Sequence, residues 1–532
     1  MNATALFSFI SFTLLVAFIS WLRTKNEKRD TTTGLFLANR KNGFWVVGGS
    51  LFLSNISANQ FIGENESVYL NNLSVIGWGV SSVFAMLIVS EFFLPIYLKG
   101  GMMTTPDFLE QRYDKQTKRL VSVIFLLGYI LNLLPAVLYG GAVAFSAIFD
   151  AANYFHLSYW QSIWMLVWVI GSLGCGYSII GGLRAITISD TVLAICMLLI
   201  GILMPIYGLR ILGDGSWSVG VGKLFTQHKE HLNAIGSTRD AVPFATLFTG
   251  MLIMNLYYWG MEQYIVQQAL AARSLKDSQK GIAVACFAKI FSILLINLPG
   301  LIAVHFYSGL ENSAQVFPLL VRDIFPPVLT GLTASLVLGA AITTYNAGLN
   351  SSSTLFVLNL YKPWKLKKGH DPTEHLQLRV AKRFEIIISL TAMLIAPFII
   401  FASSGFYAHI QKVAGMFSIP IFTLIFIGFI TKRVPPIAAK IGLIFFVSCY
   451  ALTEFALDID LHFLHVLAIL FLLTAGLMLI IGRLSPLEVP YQQREQAFVE
   501  LSPWKGRYFV GALLLVIMFT IFVIFSPLGL AS

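Results

Sequence analysis

Charge is what this chain has least of. Only 12% of its 532 residues are Asp, Glu, Lys or Arg, while 57% are hydrophobic, and mean hydropathy is +0.76. A soluble globular domain carries about twice that share of charge, so the composition excludes one and specifies a protein that lives in lipid. Cysteine is equally scarce. The four present, Cys175, Cys196, Cys286 and Cys449, all fall inside apolar runs, so neither a disulfide framework nor a cysteine metal cluster is suggested. No loop is long enough for a soluble domain; the largest, 211–241, holds some thirty residues. A phosphate-cradling glycine loop is absent too. Gly222-Lys223 continues with Leu224, which excludes nucleotide hydrolysis and leaves an ion gradient as the driving force.

What is present is a series of apolar runs, each near the ~20 residues that cross a bilayer. They fall roughly at 3–22, 44–63, 73–98, 120–148, 159–180, 185–209, 244–269, 281–305, 328–360, 384–402, 408–430, 436–456, 462–481 and 508–527, about fourteen spans. The fold expected is an all-α, multi-pass integral membrane protein in the bilayer of the plasma or inner membrane. Alternate loops are basic, among them Arg23 to Arg29, Arg112 to Arg119, Arg273 to Lys280 and Lys362 to Lys368. Cytoplasmic loops carry that excess, so both termini are expected outside. The net charge of +10 follows from this topology; the basic residues are spread over several loops, and no nucleic-acid partner is implied. The first run has no basic residue before it and four soon after, the reverse of a signal peptide, and is expected to remain as a span.

Within the second run, SNISANQFIG (Ser54 to Gly63) places small polar residues at membrane depth. Backbone freed from a helix in hydrocarbon persists only where it lines a cavity or holds an ion, as in the broken helices of secondary transporters. The same residues, Asn55 among them, could instead be interhelical hydrogen-bonding glue. The ninth run carries GAAITTYNAGLNSSST, with Thr343 and Thr344 beside small residues. Their hydroxyls suit an uncharged sodium cage, or could bond back to carbonyls one turn earlier. Lys289 stands about nine residues into its span, some 13 Å deep at ~1.5 Å per residue, too deep to snorkel. It is either functional or part of a structural pair; Asp190 carries the same two readings. Asn255, Tyr257, Tyr258 and Trp259 gather amide and aromatic groups inside a span, which suits sugar hydroxyls and C–H faces or plain packing. Gln411 adds an amide between Gly405 and Gly415. Glu64 and Glu66 follow the break and are expected in the outer vestibule.

Together these stretches resemble the sodium/solute symporter family, most closely its sugar-carrying branch, the bacterial sodium/galactose type. The resemblance runs from about Phe36 to Gly482, through SLFLSNISANQFIG, PDFLEQRYDK, YSIIGGLRA, NLYYWGMEQYIVQQALAARSLKDSQKG and LNSSSTLF. It implies a leucine-transporter-like core of two inverted five-helix repeats with a broken first helix, here 44–431, flanked by an extra helix and basic loop in 1–43 and further helices in 432–532. It also implies a sodium site on the carbonyls of Leu53, Ile56 and Ala340 and the hydroxyls of Thr343 and Thr344, with Asp190 on the ion's exit side. Sugar contacts would fall on Gln60, Ser82, Asn255, Lys289 and Gln411, the inner gate on Tyr258, and the outer gate on Trp78 and Tyr407. Gly79 stands where galactose carriers have a sugar-binding glutamate, and Glu64 where they have an apolar gate residue; Glu64 is expected to supply the missing carboxylate. Asn132 is one residue out of register with a family asparagine. Relatives with a second sodium site bring paired serines where this chain has Asn346 and Ala347, which implies one ion per solute. The expected function is sodium-coupled import of a neutral sugar or polyol, with no enzyme activity and no cofactor beyond sodium as coupling ion. The alternatives are a symporter for an amino or acidic sugar or another organic solute, and a non-transporting sensor with the same fold.

Overall fold

The computed structural model describes residues 2–25, 36–56, 58–238, 240–310, 312–401, 406–457, 459, 461–493 and 495–532, without the side chains of 24, 58–59, 180–185, 292–295, 406–408 and 455. Among these residues the architecture is helical throughout, and pairing between extended segments is limited to two isolated bridges. Lipid offers no partner to a backbone amide, so each segment must close its hydrogen bonds within itself.

The principal helices are α1 (Ala3–Thr24), α2 (Phe44–Asn55), α3 (Ala58–Leu70), α4 (Leu73–Lys99), α5 (Lys115–Phe149), α6 (Tyr159–Leu212), α7 (Gly250–Gly260), α8 (Gln263–Leu270), α9 (Leu275–Phe306), α10 (Pro327–Lys367), α11 (Glu374–Phe401), α12 (Phe406–Ile430), α13 (Pro436–Phe455), α14 (Phe463–Leu484) and α15 (Arg507–Ile524). Twelve helical stretches among the described residues, two of them within α6, are long and apolar enough to cross a membrane, not the fourteen expected from the apolar runs. Runs 44–63 and 244–269 account for the difference, because each is interrupted, into α2/α3 and α7/α8. The order of elements therefore repeats. An interrupted pair is followed by four span-length stretches, 73–99, 115–149, 159–179 and 186–212, and then a second interrupted pair by 275–306, 327–367, 374–401 and 409–430.

The interrupted pairs lie deep because small residues let their neighbours approach. A Cβ on Gly281 of α9 would stand 2.6 Å from Val47 Cγ1 and 3.2 Å from the Gly48 amide nitrogen of α2, so only glycine permits this backbone contact. Arg112 fixes the far end of the bundle. Only 2% exposed, it donates from Nε to the carbonyls of Gly428 and Thr431 at 3.2 Å each, and from Nη1 to that of Val434 at 3.0 Å. A lysine cannot reproduce that planar fork. Arg112→Lys is expected to leave carbonyls unpaired at about 1–3 kcal/mol each, lowering the melting temperature in detergent by several degrees; a parental melting temperature would refute this anchoring role.

Candidate functional site

The first interruption falls at Ile56, whose φ of −80° and ψ of 84° end α2 while its N–H still reaches the Phe52 carbonyl. α3 then starts at Ala58. The second interruption falls at Met261 and Glu262, where α7 ends and Glu262, with φ −62° and ψ 118°, starts α8. Between the two breaks lies a cavity of about 190 Å³, many times the space one water needs.

Five side chains anticipated as solute contacts, Gln60, Ser82, Asn255, Lys289 and Gln411, line this cavity, as do Trp78 and Tyr258. The Tyr407 side chain lies outside the described residues. Asn255 Nδ2 donates to Ser81 Oγ at 3.0 Å, and Ser82 Oγ donates to the Gly79 carbonyl at 2.6 Å. Gln60 Oε1 is buried without a partner. Lys289 Nζ donates to Asn55 Oδ1 at 2.5 Å. The Tyr258 ring packs edge-on against Trp259 and Tyr264, and its hydroxyl accepts from Tyr264 at 2.8 Å.

Leu53 and Ile56 at the first break are fully buried, as is Ala340 on α10, where Thr343 and Thr344 follow one turn later and are buried too. Thr344 Oγ1, Ser54 Oγ and Asp190 Oδ1 are all buried without a well-formed hydrogen bond, and Asp190 faces Ser54 and Thr343. Unmet buried oxygens cost about 1–3 kcal/mol each, more for a charged group, so this cluster suits a small cation. Ser50 Oγ lies 2.9 Å from both Asp190 Oδ2 and Gln268 Oε1. One hydroxyl proton cannot serve two acceptors. Turning the Gln268 amide over would let its otherwise unpartnered Nε2 donate to Ser50 and leave the Ser50 proton for Asp190.

Glu64 is not where the sequence reading put it. Its side chain is 2% exposed, faces Lys289 and Asn297 within the bundle, and is absent from the cavity wall. It lies one helical turn beyond Gln60, which carries it past the cavity and into the seam between α3 and α9, not into a vestibule. Glu66 is buried too and accepts from Ser313 Oγ at 2.6 Å. The carboxylate that does line the cavity is Glu262. Its oxygens accept from Tyr129 at 2.5 Å and Tyr257 at 2.8 Å, and each keeps a lone pair for another donor. Glu262, Tyr129 and Tyr264 were missed as site residues; the signal available was an acidic residue directly after the aromatic cluster. Asn132 also lines the cavity, because residues Tyr129–Leu133 form a π-helical turn that shifts the register of α5.

The sequence profile of the Sodium:solute symporter family matches residues 35–445. An uncharacterized symporter, YidK, of Escherichia coli (strain K12) is 36% identical over 506 residues, covering 95% of this chain and 88% of its own. The sodium/glucose cotransporter of Vibrio parahaemolyticus is 29% identical over 446 residues, 79% of each chain. In fold, the chain is similar to a Na+-coupled sialic acid symporter solved in a substrate-bound outward-open state, with a TM-score of 0.78 at 19% identity, over 92% of this chain and 99% of that one.

Proposed function

The chain belongs to the sodium:solute symporter family, and from that premise we infer that it imports a neutral, polyhydroxylated solute, a sugar or polyol, together with sodium. The observation that carries this reading is the lining of the cavity. Amides from Gln60, Asn255 and Gln411 can both donate and accept, the faces of Trp78 and Tyr258 suit the C–H surface of a ring, and the two charged groups there, Lys289 and Glu262, are engaged by protein partners. The likeness to the sodium/glucose cotransporter supports the same solute class. Sodium is assigned to the carbonyls of Leu53, Ile56 and Ala340 with the hydroxyls of Thr343 and Thr344, and Asp190 to its path inward. The unmet oxygens of Thr344 and Asp190 support that assignment. Glucose, galactose, inositol and sialic acid offered to proteoliposomes under an inward sodium gradient test it. Accumulation of a neutral member is expected, and accumulation of sialic acid alone would overturn the neutral-solute reading.

The basic loops are assigned to the cytoplasm and both termini to the outside. A cysteine placed at Ser532 is then expected to react with an impermeant thiol reagent added to intact cells; protection there, with reaction in inverted vesicles, would reverse the topology.

One sodium is proposed per solute, because Asn346 and Ala347 offer no pair of hydroxyls for a second ion. At 100 mV one charge contributes about 2.3 kcal/mol, and a tenfold sodium gradient adds about 1.4. Together these support roughly 500-fold accumulation. A reversal potential corresponding to two charges per solute would contradict the assignment.

A further inference from the structure

Glu64 is a carboxylate buried in the membrane for which the solute cavity has no direct use. Its Oε1 accepts no hydrogen bond, and the groups that face it are the ammonium of Lys289 and the amide of Asn297, both from α9. Asn297 is itself 0% exposed, and apart from Glu64 no group among the described residues pairs with its amide. The geometry of the seam explains how they meet. Gln60 and Glu64 lie one turn apart on one face of α3, and Gln60 lines the cavity. Lys289 and Asn297 lie two turns apart on one face of α9, and Lys289 lines the cavity. Beyond Asn297 the two backbones close on each other, since a Cβ at Gly300 would come within 2.9 Å of the Asn65 carbonyl oxygen. Glu64 therefore lies off the cavity wall, in the α3/α9 seam where the Lys289 charge acts on it.

We propose that Glu64 is the built-in counter-charge of Lys289, cancelling the field of that ammonium in the cavity and so selecting uncharged solutes over anionic ones. An ammonium deep in a bundle needs a compensating charge. If the solute supplied it, the solute would have to be an anion. Here the protein supplies it from the side the solute does not reach, and the remaining cavity carboxylate, Glu262, disfavours an anion further. Glu64 is a specificity-determining residue that touches no solute, and this inference rests on the neutral-solute reading above.

Two measurements test it. The first is a thermal double-mutant cycle on the full-length protein in detergent, without solute, comparing the parent, Glu64→Gln, Lys289→Met and the double variant. Each single change strands a buried charge while the double removes both, so the double variant is expected to melt several degrees above the sum of the two single losses; additive losses would overturn the pairing. The second is uptake of glucuronate relative to glucose. Glu64→Gln is expected to raise that ratio at least tenfold, whereas Glu64→Asp, which keeps the charge, keeps the parental ratio. An unchanged ratio in Glu64→Gln would overturn the selectivity role. A parent protein that prefers glucuronate would refute the neutral-solute reading itself, and the solute-free thermal cycle reads the pair independently of that outcome.

Discussion

Thr344→Ala is expected to abolish sodium-driven accumulation while leaving a folded protein in the membrane. Three other hydroxyls of α10 show the contrast. Thr333 Oγ1 donates to the Leu329 carbonyl at 2.8 Å, Ser352 Oγ to that of Gly348 at 2.7 Å, and Thr354 Oγ1 to that of Asn350 at 2.7 Å, each bonding back along its own helix. Thr344 Oγ1 does not, although it is just as deeply buried at 1% exposure. Back-bonding, the ordinary fate of such a residue, fails to explain it. A buried hydroxyl that lines the cavity with Ser54 and makes no hydrogen bond is available to an ion, and its removal deletes a ligand without deleting a structural bond. A hydrogen-bond-strength contact to a charged species is worth about 1.5–3 kcal/mol, which converts to a roughly ten- to hundredfold loss of apparent sodium affinity. Thr333→Ala is the control, expected to retain parental sodium affinity. Sodium dependence of uptake unchanged in Thr344→Ala would remove this hydroxyl from the ion site.

How far the sequence alone reached depended on whether a feature was local. Hydropathy delivered the long helices, and the polar run after Leu53 announced the first break, because both are written in consecutive residues. Lys289 was conspicuous for its depth alone. Glu64 was misplaced because a break resets helical phase, and the direction in which α3 leaves Ile56 cannot be counted from residue numbers. Asn132 stands one residue out of register in the sequence, and the π-helical turn at Tyr129–Leu133, which nothing in YILNL declares, adds a residue to the repeat there. The second break was hidden for a different one. Glu262 tolerates burial only because Tyr129, 133 residues earlier in the chain, and Tyr257 both donate to it. A contact of that range leaves no local trace. Asn55 could be read either as glue or as part of a site, and it both joins α2 to α9 through Lys289 and lines the cavity.

That buried carboxylate gives the second large effect expected. In Glu262→Gln the side chain keeps its size, but its NH2 group cannot accept a hydrogen bond, so one of the two tyrosine hydroxyls loses its acceptor and the other bonds a neutral oxygen. Leaving one buried hydroxyl without its acceptor costs about 1–3 kcal/mol. The loss falls at the point where α7 passes into α8, and Tyr257 precedes Tyr258, the residue assigned as inner gate. Initial uptake is therefore expected to fall at least tenfold, and the melting temperature to drop with it. The two consequences have separate origins and should separate on rescue. Adding Tyr129→Phe to Glu262→Gln removes the orphaned hydroxyl and should recover much of the thermal stability. Transport should stay low, because the cavity has still lost the one carboxylate, among the described residues lining it, that can accept a solute hydroxyl. If uptake returns along with stability, Glu262 only holds the break in shape, and the amides of Gln60, Asn255 and Gln411 suffice to bind the solute.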